Sequence, residues 1–331
     1  MEEIQYTAES EGRTEPNVNS LSQKMEVVRN EMHKVIVGQE ETIELMLIGL
    51  LSDGHLLLEG VPGVAKTLTA KLLSGVISTG FSRVQFTPDL MPSDVIGTTV
   101  FNAKESQFYF KPGPIFSNIV LIDEINRAPA KTQSALFEVM EERQITVDGI
   151  THQMQYPFLV VATQNPIEQE GTYRLPEAQL DRFLFKIQVG YPSMDEEIAI
   201  MNAQQGMPQS ELVSKIQPVL SPAEIATFRN ISKSITTEPK IVEFIARIVN
   251  ETRNNSSLYL GASTRSSLAL LKSSKSAAAL RGRDFVIPED VIEMAPHVFR
   301  HRIMLTPDKE MEGYTPDEFL KNMIKGIEVP R

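Results

Sequence analysis

The sequence predicts an α/β sandwich around a five-stranded parallel sheet, followed by a smaller all-helical lid. Three observations lead there. Five β-rich runs, HLLLEG (55–60), RVQFTP (83–88), NIVLIDEI (118–125), FLVVATQNP (158–166) and FLFKIQVGYP (183–192), are spread over the first 192 residues. Three of them are nearly continuous apolar runs, the mark of strands buried on both faces of a parallel sheet. Helical stretches such as KTLTAKLLSGVIS (66–78) and KTQSALFEVMEER (131–143) separate them, in the order strand, crossover helix, strand. After Tyr191-Pro192 the pattern turns wholly helical.

Taken in order, residues 1–17 are polar and acidic, a disordered tail with no apolar stretch that suits a signal peptide. From Val18, apolar residues at helical spacing are interrupted at Val37-Gly38, which predicts two helices around a short turn. The α/β domain runs from 18 to 192. It carries two inserted hairpins, TVFNAKESQFYFKPGP (99–114) and RQITVDGITHQMQYPF (143–158), the second turning at Asp148-Gly149. A helical domain follows over about 193–305, with start signals at Ser221-Pro222 and Pro288-Glu289-Asp290. The tail, 306–331, holds one more short helix, DEFLKNMIKG.

Composition narrows the class. A chain of 331 residues exceeds what one hydrophobic core comfortably serves, so two domains are expected. With no cysteine, disulfides, thiolate zinc sites and cysteine nucleophiles are excluded, which fits a reducing compartment. The longest apolar run, LMLIGLL (45–51), is too short to span a bilayer, and the protein is expected to be cytoplasmic. The net charge of −11 is uneven: Lys and Arg outnumber Asp and Glu by 12 to 7 between Thr227 and Ile303, against 20 to 36 elsewhere. The acidic body speaks against broad nucleic-acid binding. The basic segment reads either as a local groove or as a solvated helical surface.

The chemistry starts at GVPGVAKT, residues 60–67, set after one strand and before one helix. Backbone N–H groups and the helix dipole converge on an anion at such a junction. Gly60 and Gly63 permit close approach or positive φ, and Pro62 stiffens the loop between them. Lys66 is placed to reach β- and γ-phosphates, and the Thr67 hydroxyl to ligate Mg²⁺. The general phosphate-loop pattern asks for glycine where Ala65 stands, so the loop by itself leaves a working site, a decayed site and a chance match open. Ala65 is compatible with a working loop if it has helical φ, about −60°, and its methyl points away from the phosphates. Negative φ is therefore expected there.

NIVLIDEI ends in Asp123-Glu124. A carboxylate at the tip of a buried strand is costly unless something binds it, and Mg²⁺ beside the loop is such a partner. Glu124 is then placed to deprotonate the attacking water. Asn165, at the end of FLVVATQNP, can orient that water or touch the γ-phosphate; it equally suits a turn before Pro166.

Together GVPGVAKT, IVLIDEINRAP, ATQNPIEQEGTYRLPEAQLDRF and GASTR resemble the AAA+ ATPases, specifically the MoxR group, over about residues 20–305, and RHRI (300–303) fits the group's ending. Ala65 is similar to what that group shows at this position. The resemblance implies an ATP- and Mg²⁺-dependent ATPase working in a ring of six, with a chaperone-like role on client proteins that often carry a von Willebrand factor A domain. It implies nucleotide contacts along Gly60, Val61, Pro62, Gly63, Val64, Ala65, Lys66, Thr67 and Leu68, and adenine contacts at Val37, Gly38 and Gln39. Asn165 corresponds to sensor 1, Arg182 to the arginine finger reaching a neighbour's site, and Arg265 to sensor 2; Arg127 and Arg174 are rival arginines. The hairpins correspond to the helix-2 insert and the pre-sensor-1 hairpin.

Two rival functions stay open: a nucleic-acid or metal-chelatase motor subunit, marked by DNA-stimulated turnover, and a nucleotide-gated scaffold without turnover, against which the Asp123-Glu124 pair speaks. His297 and His301 have a metal-compatible spacing but no third ligand in sequence. Phe101, Phe108, Tyr109 and Phe110 suit either an aromatic grip on a polypeptide or, more simply, packing of the hairpin onto the body.

Overall fold

Period-two alternation within the apolar runs decides which core each residue joins. The computed structural model describes residues 16–166, 173, 175–205 and 209–330. Among the described residues nine strands lie in the first part: β1 His55–Glu59, β2 Phe81–Gln85, β3 Gly97–Asn102, β4 Gln107–Pro112, β5 Ile119–Asp123, β6 Gln144–Val147, β7 Ile150–Gln153, β8 Leu159–Gln164 and β9 Phe183–Gln188. Five form one sheet in the order β2-β5-β8-β1-β9, every neighbouring pair parallel. Leu56, Leu58, Ile119, Leu121, Leu159 and Val161 face one core, while Leu57, Val120, Ile122, Val160 and Ala162 face the other. Both faces of β1, β5 and β8 are buried, so these three strands read as unbroken apolar runs.

Parallel strands need crossovers, and the helices supply them. On the first face lie α1 (Val18–His33), α2 (Glu40–Leu51) and α3 (Lys66–Ile77). Asn17 caps α1 by accepting the Ser20 N–H at 2.9 Å. The second face is covered by α4 (Pro92–Ile96) and α5 (Ala130–Glu142), with Leu136, Phe137 and Met140 buried. The hairpins β3–β4 and β6–β7 flank that face, and the second turns through Asp148 and Gly149, both at positive φ. Of the four aromatic candidates only Phe110 packs inward, against Phe116 and His152. Phe101, Phe108 and Tyr109 are exposed, so the expectation that several pack the hairpin down is corrected. The reason is the antiparallel register. Phe101 pairs with Phe108 near the hairpin tip, beyond the reach of the body, whereas Phe110 opposes Thr99 nearer its base.

After the short α6 (Glu177–Leu180) and β9, helices follow one another: α7 Met194–Gln205, α8 Gln209–Ser214, α9 Pro222–Ser234, α10 Pro239–Asn254, α11 Thr264–Leu280, α12 Pro288–Phe299, α13 Pro307–Met311 and α14 Pro316–Lys325, with β10 (Leu258–Leu260) pairing β11 (Met304–Leu305). Ser221 and Glu224 form a capping box at α9. The buried faces of α9 to α12 and α14 join those of α1 and α2 in one continuous apolar cluster that also meets the sheet. Among the described residues no helix is long and apolar enough to cross a membrane.

Segment 227–303 divides: Lys233, Lys240, Arg247, Arg253, Arg265 and Lys272 are exposed, as a solvated helical surface requires, while five arginines pair within the fold. Arg229 is buried against Asp53 and the Leu50 carbonyl; Arg281 and Arg283 pair with the buried Asp290; Arg300 pairs with Asp317 and Arg302 with Asp181. Much of the local positive charge therefore holds helices together. Arg300, His301 and Arg302 close over the outer side of β9, donating to carbonyls of Lys186, Phe183 and Leu184. That capping satisfies an edge strand that would otherwise offer unpaired backbone groups.

The buried histidines are neutral. Burial, with Arg143 nearby, pulls His55 down to about 3; its Nε2–H donates to the Met140 carbonyl and its Nδ1 accepts the Val160 N–H. Burial, with Arg300 nearby, does the same for His297 despite exposed Glu41 at 3.4 Å, and His301 is also held well below its ordinary value. A base whose folded pKa is depressed contributes stability above its unfolded pKa of about 6.5, and loses it as pH falls toward the folded value. Unfolding free energy is thus expected to fall below pH ~6.5 by up to ~1.4 kcal/mol per pH unit for each such histidine. Urea midpoints at pH 7.5, 6.0 and 5.0 measure it, and a flat profile contradicts it.

Candidate functional site

The loop after β1 turns at Gly63, with φ 89°, and again at Ala65, with φ 59° and ψ 16°. Ala65 is left-handed, so the expectation of negative φ was wrong. The residue is the N-cap of α3, outside the helix, and the chain must reverse there to present Lys66 and Thr67 at the first turn. Left-handed alanine costs roughly 1–2 kcal/mol. Contacts around the loop hold it: the Ala65 carbonyl accepts both the Thr69 N–H (2.9 Å) and the Thr69 hydroxyl (3.0 Å), while Gln39 Nε2 donates to the Val64 carbonyl at 2.9 Å. Gly60 is needed because a Cβ there would sit 2.4 Å from the Val189 carbonyl oxygen.

Residues 62–68 line a cavity of about 900 Å³ together with Lys71, Phe81, Arg83, Asp123, Glu124, Thr163, Asn165 and Val213. It lies at the carboxyl ends of β1, β5 and β8, where open parallel sheets bind ligands. Lys66 Nζ donates to the Gly60 carbonyl and to that of Val61 at 3.3 Å. The ammonium is curled into its own loop.

Asp123 is buried and well satisfied. Its Oδ1 accepts the Thr163 hydroxyl at 2.6 Å; its Oδ2 faces Thr67 Oγ1 at 3.3 Å and the Arg83 guanidinium at 2.6 and 3.1 Å. Glu124 stands at positive φ (56°), its N–H donating to Thr163 Oγ1 at 3.0 Å. Its Oε2 accepts Gln85 Nε2 at 2.7 Å and Arg127 Nη1 at 2.9 Å. Strained backbone at the end of a buried strand, fixed by a neighbouring strand's hydroxyl, is a feature that clusters at functional sites.

Among the described residues no group of three or more His, Cys, Asp or Glu is arranged around a metal position. Mg²⁺ does not need one: it keeps waters and takes one or two protein oxygens plus phosphate. A Thr67 hydroxyl beside an Asp123 carboxylate is such a hard-oxygen donor pair, so these residues fit the ion.

The other sequence candidates divide in two. Asn165 is buried at the end of β8 on the cavity wall. Val37, Gly38 and Gln39 do not line the cavity; Gln39 braces the loop from behind, and the Glu196 side chain lies against Gly38. Arg182 and Arg265 are elsewhere altogether. Arg182 donates to the Phe137 carbonyl at 2.6 Å, and Arg265 pairs with Glu141 at 2.7 Å, 3.8 Å being the Arg182–Glu141 distance. Both line a separate depression of about 240 Å³ between α5, α11 and the start of β9. Arg127 is tied to Glu124, and Arg174 lies outside the described residues, as do residues 1–15 of the predicted tail.

Arg83, Gln85 and Thr163 were missed. A signal existed in RVQFTP: Arg83 and Gln85 alternate with apolar Val84, so both project from one face of β2, and parallel pairing sets Gln85 opposite Asp123. Which strand neighbours β5 is a matter of topology, and no local pattern reveals it.

The family profile described as "ATPase family associated with various cellular activities (AAA)" matches residues 55–185, and that of the "AAA lid domain" matches 250–323, taking in most of α14. The chain is 46% identical over 299 residues to the Bacillus subtilis protein YeaC, covering 90% of this chain and 92% of the other. It is 45% identical over 310 residues to the chaperone MoxR1 of Mycobacterium tuberculosis, covering 91% and 81%. A crystal structure of a Cytophaga hutchinsonii protein superposes with a TM-score of 0.86 at 39% identity, covering 95% of this chain and 97% of that one. With a parallel five-stranded sheet, a phosphate-type loop and a helical lid already in place, these similarities make the chain a member of the MoxR-type AAA+ ATPases.

Proposed function

We propose that the cavity binds ATP with Mg²⁺ and hydrolyses the β–γ phosphoanhydride bond, and that the energy drives chaperone-like remodelling of client proteins in a ring of six subunits. One observation carries the reading: Lys66, Thr67, Asp123, Glu124 and Asn165 converge on a single cavity at the ends of three adjacent strands. The amides of the loop and the first turn of α3 receive the phosphates, as a helix start does. Lys66 exchanges its loop carbonyls for β- and γ-phosphate oxygens. Thr67 and Asp123 hold Mg²⁺, which when bound neutralises charge on the transferring phosphate. Glu124 takes a proton from the attacking water, and Asn165 orients that water.

The placement of Arg182 and Arg265 together, away from their own chain's loop, supports a role for both in a neighbour's site, where they offset charge on the γ-phosphate. The chaperone designation of MoxR1 supports the client-remodelling part. A client with a von Willebrand factor A domain rests on family resemblance alone.

Lys66→Ala tests the loop directly. Titration with a fluorescent ATP analogue is expected to show binding in the parent and none detectable in the variant; equal affinity refutes the assignment.

A further inference from the structure

We propose that Arg83 is a displaceable counter-ion of Asp123, released onto the nucleotide's phosphates when the divalent cation arrives. The inference deepens the ATPase reading and rests on it. Asp123 has one oxygen committed to the Thr163 hydroxyl at 2.6 Å, and the other, Oδ2, is shared by Thr67 and Arg83. A cation ligated by both Thr67 and Asp123 must approach Oδ2, the oxygen they share. The Arg83 guanidinium already donates there twice, from Nε and Nη2. Two positive charges on one carboxylate oxygen repel strongly in a partly dehydrated site. One of them has to leave.

Arg83 is built to be the one that leaves. Its side chain is 51% exposed while that of Asp123 is 12% exposed, so the arginine is not locked by packing. It lines the same cavity as Lys66 and Lys71, so the phosphates are the anion within its reach. Guanidinium forms suit phosphate oxygens as well as carboxylate. Its departure also removes the 3.4 Å contact from Nη2 to Gln85 Oε1, and Gln85, with Arg127, holds Glu124. Arrival of the cation is thereby linked to the surroundings of the base. In the nucleotide-free chain Arg83 keeps a buried carboxylate compensated, which removal of a partner would leave costly.

The test uses full-length Arg83→Gln and Arg83→Lys beside the parent and Lys66→Ala. Mn²⁺ binding without nucleotide, read by electron paramagnetic resonance, is expected to tighten ~10-fold in Arg83→Gln because the competing cation is gone, and less in Arg83→Lys. Fluorescent ATP-analogue affinity is expected to weaken ~10-fold in Arg83→Gln with Mg²⁺ present but less than about 2-fold with EDTA, where wild-type Arg83 stays on Asp123. Unchanged Mn²⁺ affinity, or the same loss of nucleotide affinity with and without Mg²⁺, overturns the proposal and leaves a static ion pair. If Arg83→Gln fails to fold, Arg83→Lys decides: its single ammonium cannot reproduce the two-nitrogen contact, so parental Mn²⁺ affinity overturns the proposal. Failure confined to the Arg83 variants, with Lys66→Ala still losing nucleotide, spares the ATPase reading. A parent chain that binds no ATP sinks both.

Discussion

Glu124→Gln is expected to bind ATP as the parent does and to hydrolyse it ~10²–10⁴-fold more slowly, the usual cost of removing a general base. The substitution is nearly isosteric and leaves the backbone N–H of residue 124 on Thr163 Oγ1, so the left-handed turn at φ 56° has no reason to collapse. What it removes is the oxygen proposed to accept the proton, along with the charge that pairs with Arg127 at 2.9 Å. Nucleotide titration and single-turnover phosphate release separate the two effects. Turnover at the parental rate would sink the catalytic role of Glu124; lost binding would point instead to a structural one. A slow variant that still binds is also a means of trapping clients, since the ATP-bound state accumulates.

Arg302→Ala is expected to destabilise the fold by ~3–5 kcal/mol, the scale for stranding one member of a buried ion pair. The Arg302 side chain is 3% exposed. Its Nε donates to Asp181 Oδ1 at 2.6 Å, and its two terminal nitrogens serve carbonyls of Asp181, Phe183, Leu184 and Val298. Removing it takes the charged partner from the Asp181 carboxylate, which keeps only the Ser263 hydroxyl at 3.1 Å, and a donor from several carbonyls at once, where the lid meets the edge of the sheet. Arg302→Lys keeps the charge but has no planar fork, and an intermediate loss is expected. Urea unfolding of both variants measures it; a loss under about 1 kcal/mol for the alanine variant refutes the latch. Because Asp181 precedes Arg182, the same latch positions that arginine, and the alanine variant should also impair any assembly-dependent turnover.

Much of the fold was legible before the structure. Strands buried on both faces announce themselves as unbroken apolar runs, and the five predicted runs coincide with the five sheet strands to within a few residues. The convergence of Lys66, Thr67, Asp123 and Glu124 on one cavity was equally legible, because their residue types sit at strand ends and a helix start along the chain. Chain order and local periodicity carry all of that information.

The tertiary structure decided the rest. Ala65 is left-handed because Thr69 and Gln39 bind the carbonyls on either side of the turn, an energy that outweighs a local preference. Arg83 meets Asp123 because β2 pairs with β5 and not with another strand. Arg182 and Arg265 meet on Glu141, across a chain separation that no motif spans, because α11 packs beside the end of α5. A residue's own conformation and chemistry are short-range and visible in sequence, whereas the partner of a long charged side chain is settled by which elements are packed within its reach.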